Sequence, residues 1–239
     1  MQETRSDGSD NEFKKWSKLF NTKQIYLTNF GTNSVGTGII VKNEEIFKVH
    51  QYFLDPLGRF VGIVGDHEHG KFLVLSFYSP SISNEIKQFV LNKLCVQLKN
   101  LGQDLPEFII MGGDTNTVVS TLDKEGGSPH LKCQAINSIE ELKNEFKLFD
   151  TFREKNPYKR EYSWEVLNPK IIKERIDLIF ASNSLKDYIT ETGIIPSYKT
   201  CSDHGIPYVR IKGFGVPSKG PGYGNLTIHY SMNLVLFLK

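Results

Sequence analysis

Four short polar phrases lie at or beside the ends of apolar, strand-like runs along the 239-residue chain. They are Gln2-Glu3-Thr4, Gly112 to Asn116, Arg175-Ile176-Asp177 and Ser202-Asp203-His204. The chain between them mixes many strand-like runs with a few long helical stretches. This order predicts an α/β (α+β) fold, a four-layer sandwich of two mainly antiparallel sheets flanked by helices.

Hydrophobic periodicity places the individual elements. Helices are predicted at 10–21, 84–101, 139–146 and 150–156. Strands are predicted at 24–29, 36–42, 44–50, 59–66, 71–78, 161–166, 174–181, 188–195 and 205–211. The apolar run Phe108 to Met111 reads as a central strand covered on both faces. We predict one domain at 1–212 and a Gly- and Pro-rich, linker-like tail at 213–239.

Composition excludes some classes of protein. The chain is 39% hydrophobic and 23% charged, which is ordinary for a globular domain. Its net charge of +2 is too small to argue for nucleic-acid binding. Three cysteines without CxxC spacing predict neither a disulfide framework nor a cysteine zinc site. No run approaches the roughly 20 apolar residues needed to span a membrane, so we expect no membrane contact. The cysteine content fits a reducing compartment, and we expect an intracellular location. We expect no obligate protein partner.

Asp114 and Asn116 follow the central strand after two glycines. Alternate residues after such a strand present their side chains to one pocket. A carboxylate there can activate water, and an amide can hydrogen-bond phosphate oxygens. The alternative is an ordinary Gly-Asp-Asn turn, which is common in sheet proteins.

Asp203 and His204 precede another strand-like run. Histidine at the mouth of a sheet can act as an acid or base near neutral pH, and Asp177 is the candidate that orients its ring. The alternative is a surface Asp–His pair.

Two further residues are candidates for the site, one as a metal ligand and one as a phosphate contact, and each also has a plausible structural interpretation. Glu3 is a hard oxygen ligand that suits Mg²⁺ or Mn²⁺, although most terminal glutamates are merely solvated. Tyr78 could reach a phosphate, or it could be a tyrosine at the edge of the core. We expect His67-Glu68-His69 to form a hairpin tip rather than a metal site.

Six phrases in this order resemble the endonuclease/exonuclease/phosphatase superfamily, whose fold is the deoxyribonuclease-I-like sandwich. They are Gln2 to Thr4, Ser76 to Pro80, Gly112 to Thr117 with Leu122-Asp123, Glu161 to Trp164, Arg175 to Asp177, and Ser202 to His204. The stretch from Thr151 to Asp177 is similar to the endonuclease domain of non-LTR retrotransposon polyproteins. The resemblance covers about residues 1–211.

The resemblance implies a role for each matching residue. Glu3 and Asp203 would be metal ligands, Tyr78 would contact phosphate, and Asp114 would position and deprotonate water. Asn116 would bond the scissile phosphate, Asp177 would orient His204, and His204 would stabilise phosphate and act as acid or base. Ser163 stands where the family has a Thr or Ser near DNA. Further DNA contacts are expected at Lys124, Arg175 and Ser202.

The implied function is Mg²⁺-dependent (or Mn²⁺-dependent) nicking of DNA, in the nucleus if the chain is functional. Such domains begin with a strand before the Gln-Glu phrase, and this chain starts at Met1. We therefore expect an N-terminally truncated domain that lacks its first strand. The alternatives are a catalytically inactive retroelement remnant, a nucleic-acid-binding fragment, or a phosphatase or phospholipase of the same superfamily.

Overall fold

A six-stranded sheet forms the centre of the computed structural model, which describes residues 9–28, 36–43, 45–127, 131–166, 171–199, 202–212 and 225–229. Its strands lie in the order β3-β4-β5-β6-β11-β8. They are β3 (Lys48–Leu54), β4 (Phe60–His67), β5 (Gly70–Tyr78), β6 (Phe108–Asp114), β8 (Leu148–Asp150) and β11 (Asp177–Ser182). β5 and β6 are parallel, whereas the other neighbours are antiparallel.

Consecutive side chains of the central strands point to opposite faces, as the two-residue period of a strand requires. In β5, Phe72 and Val74 join one buried cluster, while Leu73 and Leu75 join another. The same alternation runs through β4, β6 and β11. Both faces of the sheet are therefore covered, which explains why Phe108 to Met111 is apolar without alternation.

Strands of two smaller sheets cover one face of the central sheet, and helices cover the other. The remaining strands are β1 (Ile25–Leu27), β2 (Gly38–Ile40), β7 (Lys124–Glu125), β9 (Trp164–Val166), β10 (Ile172–Glu174), β12 (Ile189–Ile195), β13 (Ile206–Lys212) and β14 (Asn225–His229). They form the sheets β1-β2, β12-β13-β14 and β7-β10-β9. The helices are α1 (Asp10–Phe20), α2 (Ser83–Phe89), α3 (Val96–Asn100), α4 (Cys133–Glu145) and α5 (Thr151–Lys155), and a π-helical turn at Val90–Cys95 joins α2 to α3.

These elements stack as helix, sheet, sheet and helix. Helices α2 to α4 pack on one face of the central sheet, and strands of β1-β2 and β12-β13 pack on the other. Phe20 of α1 packs with Ile25 and Ile40 on the outer side of β1-β2. The fold class predicted from the sequence is confirmed.

Several boundaries differ from the sequence prediction; α4, for example, begins at Cys133 rather than at Ile139. The strand predicted at 44–50 begins at Lys48, because the backbone N–H groups of Ile46 and Phe47 bond to Asn43 O in a turn. Within the predicted tail 213–239, Asn225–His229 forms β14 and pairs with β13, so this part of the tail extends a sheet.

Two predictions concern the N-terminus: the metal ligand Glu3 and the absence of a first strand. Both concern residues 1–8, which lie outside the described residues. Among the described helices, none has both the length and the apolar character needed to cross a bilayer.

Candidate active site

The candidate site lies where β5 and β6 end and the neighbouring strand β11 begins. In the parallel β5–β6 pair Tyr78 lies opposite Asp114, and in the antiparallel β6–β11 pair Asp114 lies opposite Asp177. Gly113 permits this close approach, since a Cβ at that position would lie 1.9 Å from the carbonyl oxygen of Phe77. Gly113 thus has a packing role, and both glycines before Asp114 lie within β6 rather than in the turn predicted from the sequence.

The loop after β6 is held by Asp114 and Asn116 together. The Asn116 backbone N–H donates to Asp114 Oδ1 at 2.6 Å, and Asn116 Nδ2 donates to Ser79 O at 2.8 Å. Asn116 has a left-handed backbone, with φ of 48°, a conformation that Asn tolerates better than most residues. The backbone N–H of Ser79 in turn bonds to Asp114 O at 2.9 Å. The amide is therefore oriented by the end of β5.

His204 reaches the same place from the segment before β13. A backbone bridge pairs it with Trp164, and its backbone N–H donates to Ser202 Oγ at 3.1 Å. Its Nδ1 lies 2.7 Å from Asp177 Oδ2, and both side chains are buried. Burial alone would lower the pKa of His204, but neighbouring carboxylates, led by Asp177, raise it to about 9. The ring is therefore protonated at neutral pH.

Asp114, Asp177 and His204 form one compact cluster, with a ligand atom of each lying within 4.8 Å of the others. Asp203, which precedes His204 in the sequence, is exposed and accepts a hydrogen bond from Ser202 Oγ at 3.4 Å. The described donors are mainly carboxylate oxygens, which match a hard cation such as Mg²⁺ or Mn²⁺. The cluster can orient a water molecule, accept a proton and donate one.

Lys132, which the sequence analysis missed, is tied to this loop. Its Nζ donates to Asn116 O at 2.6 Å and to Ser81 O at 2.8 Å. Burial lowers its pKa, while Glu174 and Asp114 oppose that shift. Because its partners lie 16 and 51 residues away, no local pattern could have identified it.

The expectation that Arg175 contacts DNA needs correction. Its side chain is 1% exposed, and its guanidinium donates to the carboxylates of Asp123 and Asp150 at 2.6 to 3.2 Å. Arg153 also pairs with Asp123. The polar phrase was recognisable, but its arginine points into the protein and joins three chain segments.

Ser163 also lies inside the protein rather than at a DNA surface. It is 2% exposed, and its Oγ accepts the backbone N–H groups of Ile176 at 3.1 Å and Asp177 at 3.0 Å. The expected DNA contact is replaced by support for the strand that carries Asp177.

The other predicted DNA contacts lie nearer the surface. The ammonium of Lys124 pairs with Glu174 at 2.7 Å, and Ser202 is partly exposed beside Asp203. Tyr78 is partly exposed, with the Arg59 guanidinium 5.4 Å from its ring centroid. Their roles toward DNA remain predictions.

The chain resembles known proteins in its structure. No family model and no curated protein sequence matches the chain. The AP endonuclease LMAP from Leishmania major superposes with a TM-score of 0.68 at 16% identity, covering 87% of this chain and 75% of that one. The 3′ phosphatase NExo from Neisseria, solved with a product DNA hairpin, gives 0.61 at 16% identity, with coverages of 87% and 85%.

The endonuclease domain of TRAS1, a telomere-specific non-LTR retrotransposon, gives a TM-score of 0.51 at 12% identity, covering 85% of this chain and 92% of that domain. At such identities the likeness concerns the fold. The chain has the deoxyribonuclease-I-like sandwich fold that the sequence resemblance implied.

Proposed function

We propose that this chain hydrolyses phosphodiester bonds with the help of a divalent metal ion, and that its substrate is DNA, which it nicks. The observation that carries the proposal is the cluster of Asp114, Asp177 and His204 at the ends of neighbouring strands. The structural neighbours support it, since they include AP endonucleases, a DNA 3′ phosphatase and a retrotransposon endonuclease domain.

The residues of the cluster divide the chemistry among them. Asp114 would accept the proton of the attacking water, since one of its oxygens is already fixed by the backbone N–H of Asn116. The Asn116 amide would lie against the phosphate. His204, protonated and held by Asp177, would donate a hydrogen bond to a phosphate oxygen as negative charge develops. The Tyr78 hydroxyl would add a contact to phosphate at the edge of the site.

A divalent ion would be held by Asp203 together with Glu3, which lies outside the described residues. When bound, such an ion would neutralise charge on the phosphate and on the leaving oxygen. We expect Mg²⁺ to serve, with Mn²⁺ as a substitute, because the donors are carboxylates. If the substrate is chromosomal DNA, the enzyme would act in the nucleus.

The decisive experiment is nicking of supercoiled plasmid by the purified chain with Mg²⁺, with Mn²⁺ and with EDTA. Asp114→Asn is the test variant, because it keeps the shape and removes the charge. Asp104→Asn is the matched control, because Asp104 is exposed before β6 begins, at the opposite end of that strand.

Nicking that requires metal and is lost in Asp114→Asn, but not in Asp104→Asn, would support the proposal. Extension of the nick by a DNA polymerase would identify the 3′-hydroxyl product. A folded chain that binds DNA and never cleaves it would instead favour the inactive, nucleic-acid-binding alternative.

A further inference from the structure

The hairpin between β4 and β5 carries two imidazoles and a carboxylate at its tip. β4 ends at His67, β5 begins at Gly70, and Glu68 and His69 form the turn between them. His67 and Gly70 are directly paired across the strands. The three polar side chains are therefore attached to a short, well-defined turn.

These side chains converge. His67, Glu68 and His69 each offer a ligand atom within 4.8 Å of the other two. The ring centroids of His67 and His69 are 5.4 Å apart, and His69 Nε2 lies 3.2 Å from Glu68 Oε1. His69 and Glu68 are about half exposed, so small rotations of their side chains can close the remaining distance.

His67 is the fixed member of the group. It is 7% exposed and packs edge-on against the ring of Phe72 at 6.0 Å. Its Nδ1 accepts the backbone N–H of His69 at 3.3 Å, a long hydrogen bond that a metal ion bound at this nitrogen would replace.

Two imidazole nitrogens and one carboxylate oxygen differ from the carboxylate-rich cluster around Asp114. Such a donor set suits Zn²⁺ and similar transition metals, with water in the fourth position, and suits Mg²⁺ poorly. The three residues form the hairpin tip expected from the sequence. In contrast to that expectation, we propose that this tip is also a Zn²⁺-class metal site formed by His67, Glu68 and His69.

This site is separate from the candidate active site. β5 runs from Gly70 at the hairpin tip to Tyr78 beside Asp114. At about 3.3 Å per residue, the two sites are roughly 26 Å apart. A metal at the tip would join the ends of β4 and β5 and stabilise the hairpin, without entering the chemistry at Asp114.

The test is a Zn²⁺ titration of the EDTA-stripped chain, in competition with a chromophoric chelator and in parallel with Mg²⁺. Cys133 is an exposed thiol, so the background chain carries Cys133→Ser and Cys201→Ser. His69→Gln and Glu68→Gln are the test variants because both positions are exposed. His50→Gln is the matched control, because His50 is an exposed imidazole that pairs with Asp66 outside the cluster.

We expect binding of Zn²⁺ that Mg²⁺ does not compete with and that raises the Tm. His69→Gln and Glu68→Gln should each weaken Zn²⁺ binding at least about tenfold, since even outer partners of metal ligands contribute that much. Unchanged Zn²⁺ affinity in His69→Gln, or an equal loss in His50→Gln, would overturn the proposal. Because no DNA is present, the result is independent of whether the chain is a nuclease.

Discussion

His204 donates a hydrogen bond from Nδ1 to Asp177 Oδ2 at 2.7 Å, with both side chains more than nine-tenths buried. Burial opposes the charge on the ring, and the Asp177 carboxylate more than offsets that effect, raising the pKa of His204 to about 9. We propose that this buried imidazolium beside Asp114 donates a hydrogen bond to the phosphate of the substrate.

The raised pKa of His204 predicts how stability depends on pH. The folded protein binds the proton more tightly than the unfolded chain, whose histidine pKa is near 6.5. This contribution is complete below about pH 6.5 and is lost as pH rises through about 9. The shift corresponds to a contribution on the order of 3 kcal/mol.

Urea unfolding from pH 6 to pH 9.5 measures this dependence. Asp177→Asn should flatten the fall in the free energy of unfolding over that range, because it removes the carboxylate that raises the pKa. An equally steep fall in Asp177→Asn would mean that other groups cause it.

Ser163→Ala separates a supporting role from a DNA contact. The substitution removes the acceptor of the Ile176 and Asp177 backbone N–H groups. We expect a loss of about 1–3 kcal/mol in stability, because two buried donors are left without it. Affinity for an oligonucleotide, measured by fluorescence anisotropy in EDTA, should not change below the unfolding transition. Weaker DNA binding at unchanged stability would restore the DNA-contact role.

Arg175→Met tests the buried charge network. Asp123 and Asp150 are almost fully buried, and each loses a partner. Removing one member of a buried ion pair costs about 3–5 kcal/mol. The matched control is Arg210→Met, which breaks an exposed pair with Glu191 and should cost at most about 1 kcal/mol. Similar denaturation midpoints for the two variants would argue against the network as a structural support.

Lys132→Met tests the loop that carries Asn116. The ammonium holds the carbonyl groups of Asn116 and Ser81. A shift of about 1 Å in a catalytic group costs about a hundredfold in rate, so we expect slower nicking with DNA affinity largely retained. Lys132→Arg should recover part of the rate.

Lys143→Met is the matched control for this prediction, because Lys143 pairs with Glu140 on α4 and should leave the rate unchanged. If Lys132→Met instead weakens DNA binding and leaves the rate at saturating DNA unaltered, Lys132 contacts the substrate rather than the loop.

The local sequence was a good guide to the central sheet and a weaker guide to its connections. The continuous apolar run before Gly112 identified a strand covered on both faces, because burial of both faces removes the usual alternation. The strand predicted at 44–50 was misplaced by several residues, because Ile46 and Phe47 lie in a turn although their side chains are buried in the core. Apolar character alone does not distinguish these cases.

For the candidate site, too, the sequence identified some residues correctly and misjudged the surroundings of others. Asp114, Asp177 and His204 could be named from the sequence, because each stands at a polar break beside an apolar run. Ser163 and Arg175 stand at equally polar breaks, yet both face the interior. Whether a residue at a strand end faces the cleft or the core depends on the next turn of the chain, which the residue type does not encode.

The sequence by itself therefore determined the continuous apolar run that builds a sheet covered on both faces, and the set of carboxylates, amide and imidazole at the strand ends. The tertiary structure alone decided that Asp114 lies opposite Asp177, that Arg175 serves the core, and that Lys132 holds the Asn116 loop. It also decided the charge of His204. The physical reason is that protonation and pairing depend on burial and on nearby charges, and both arise only when distant segments are packed together.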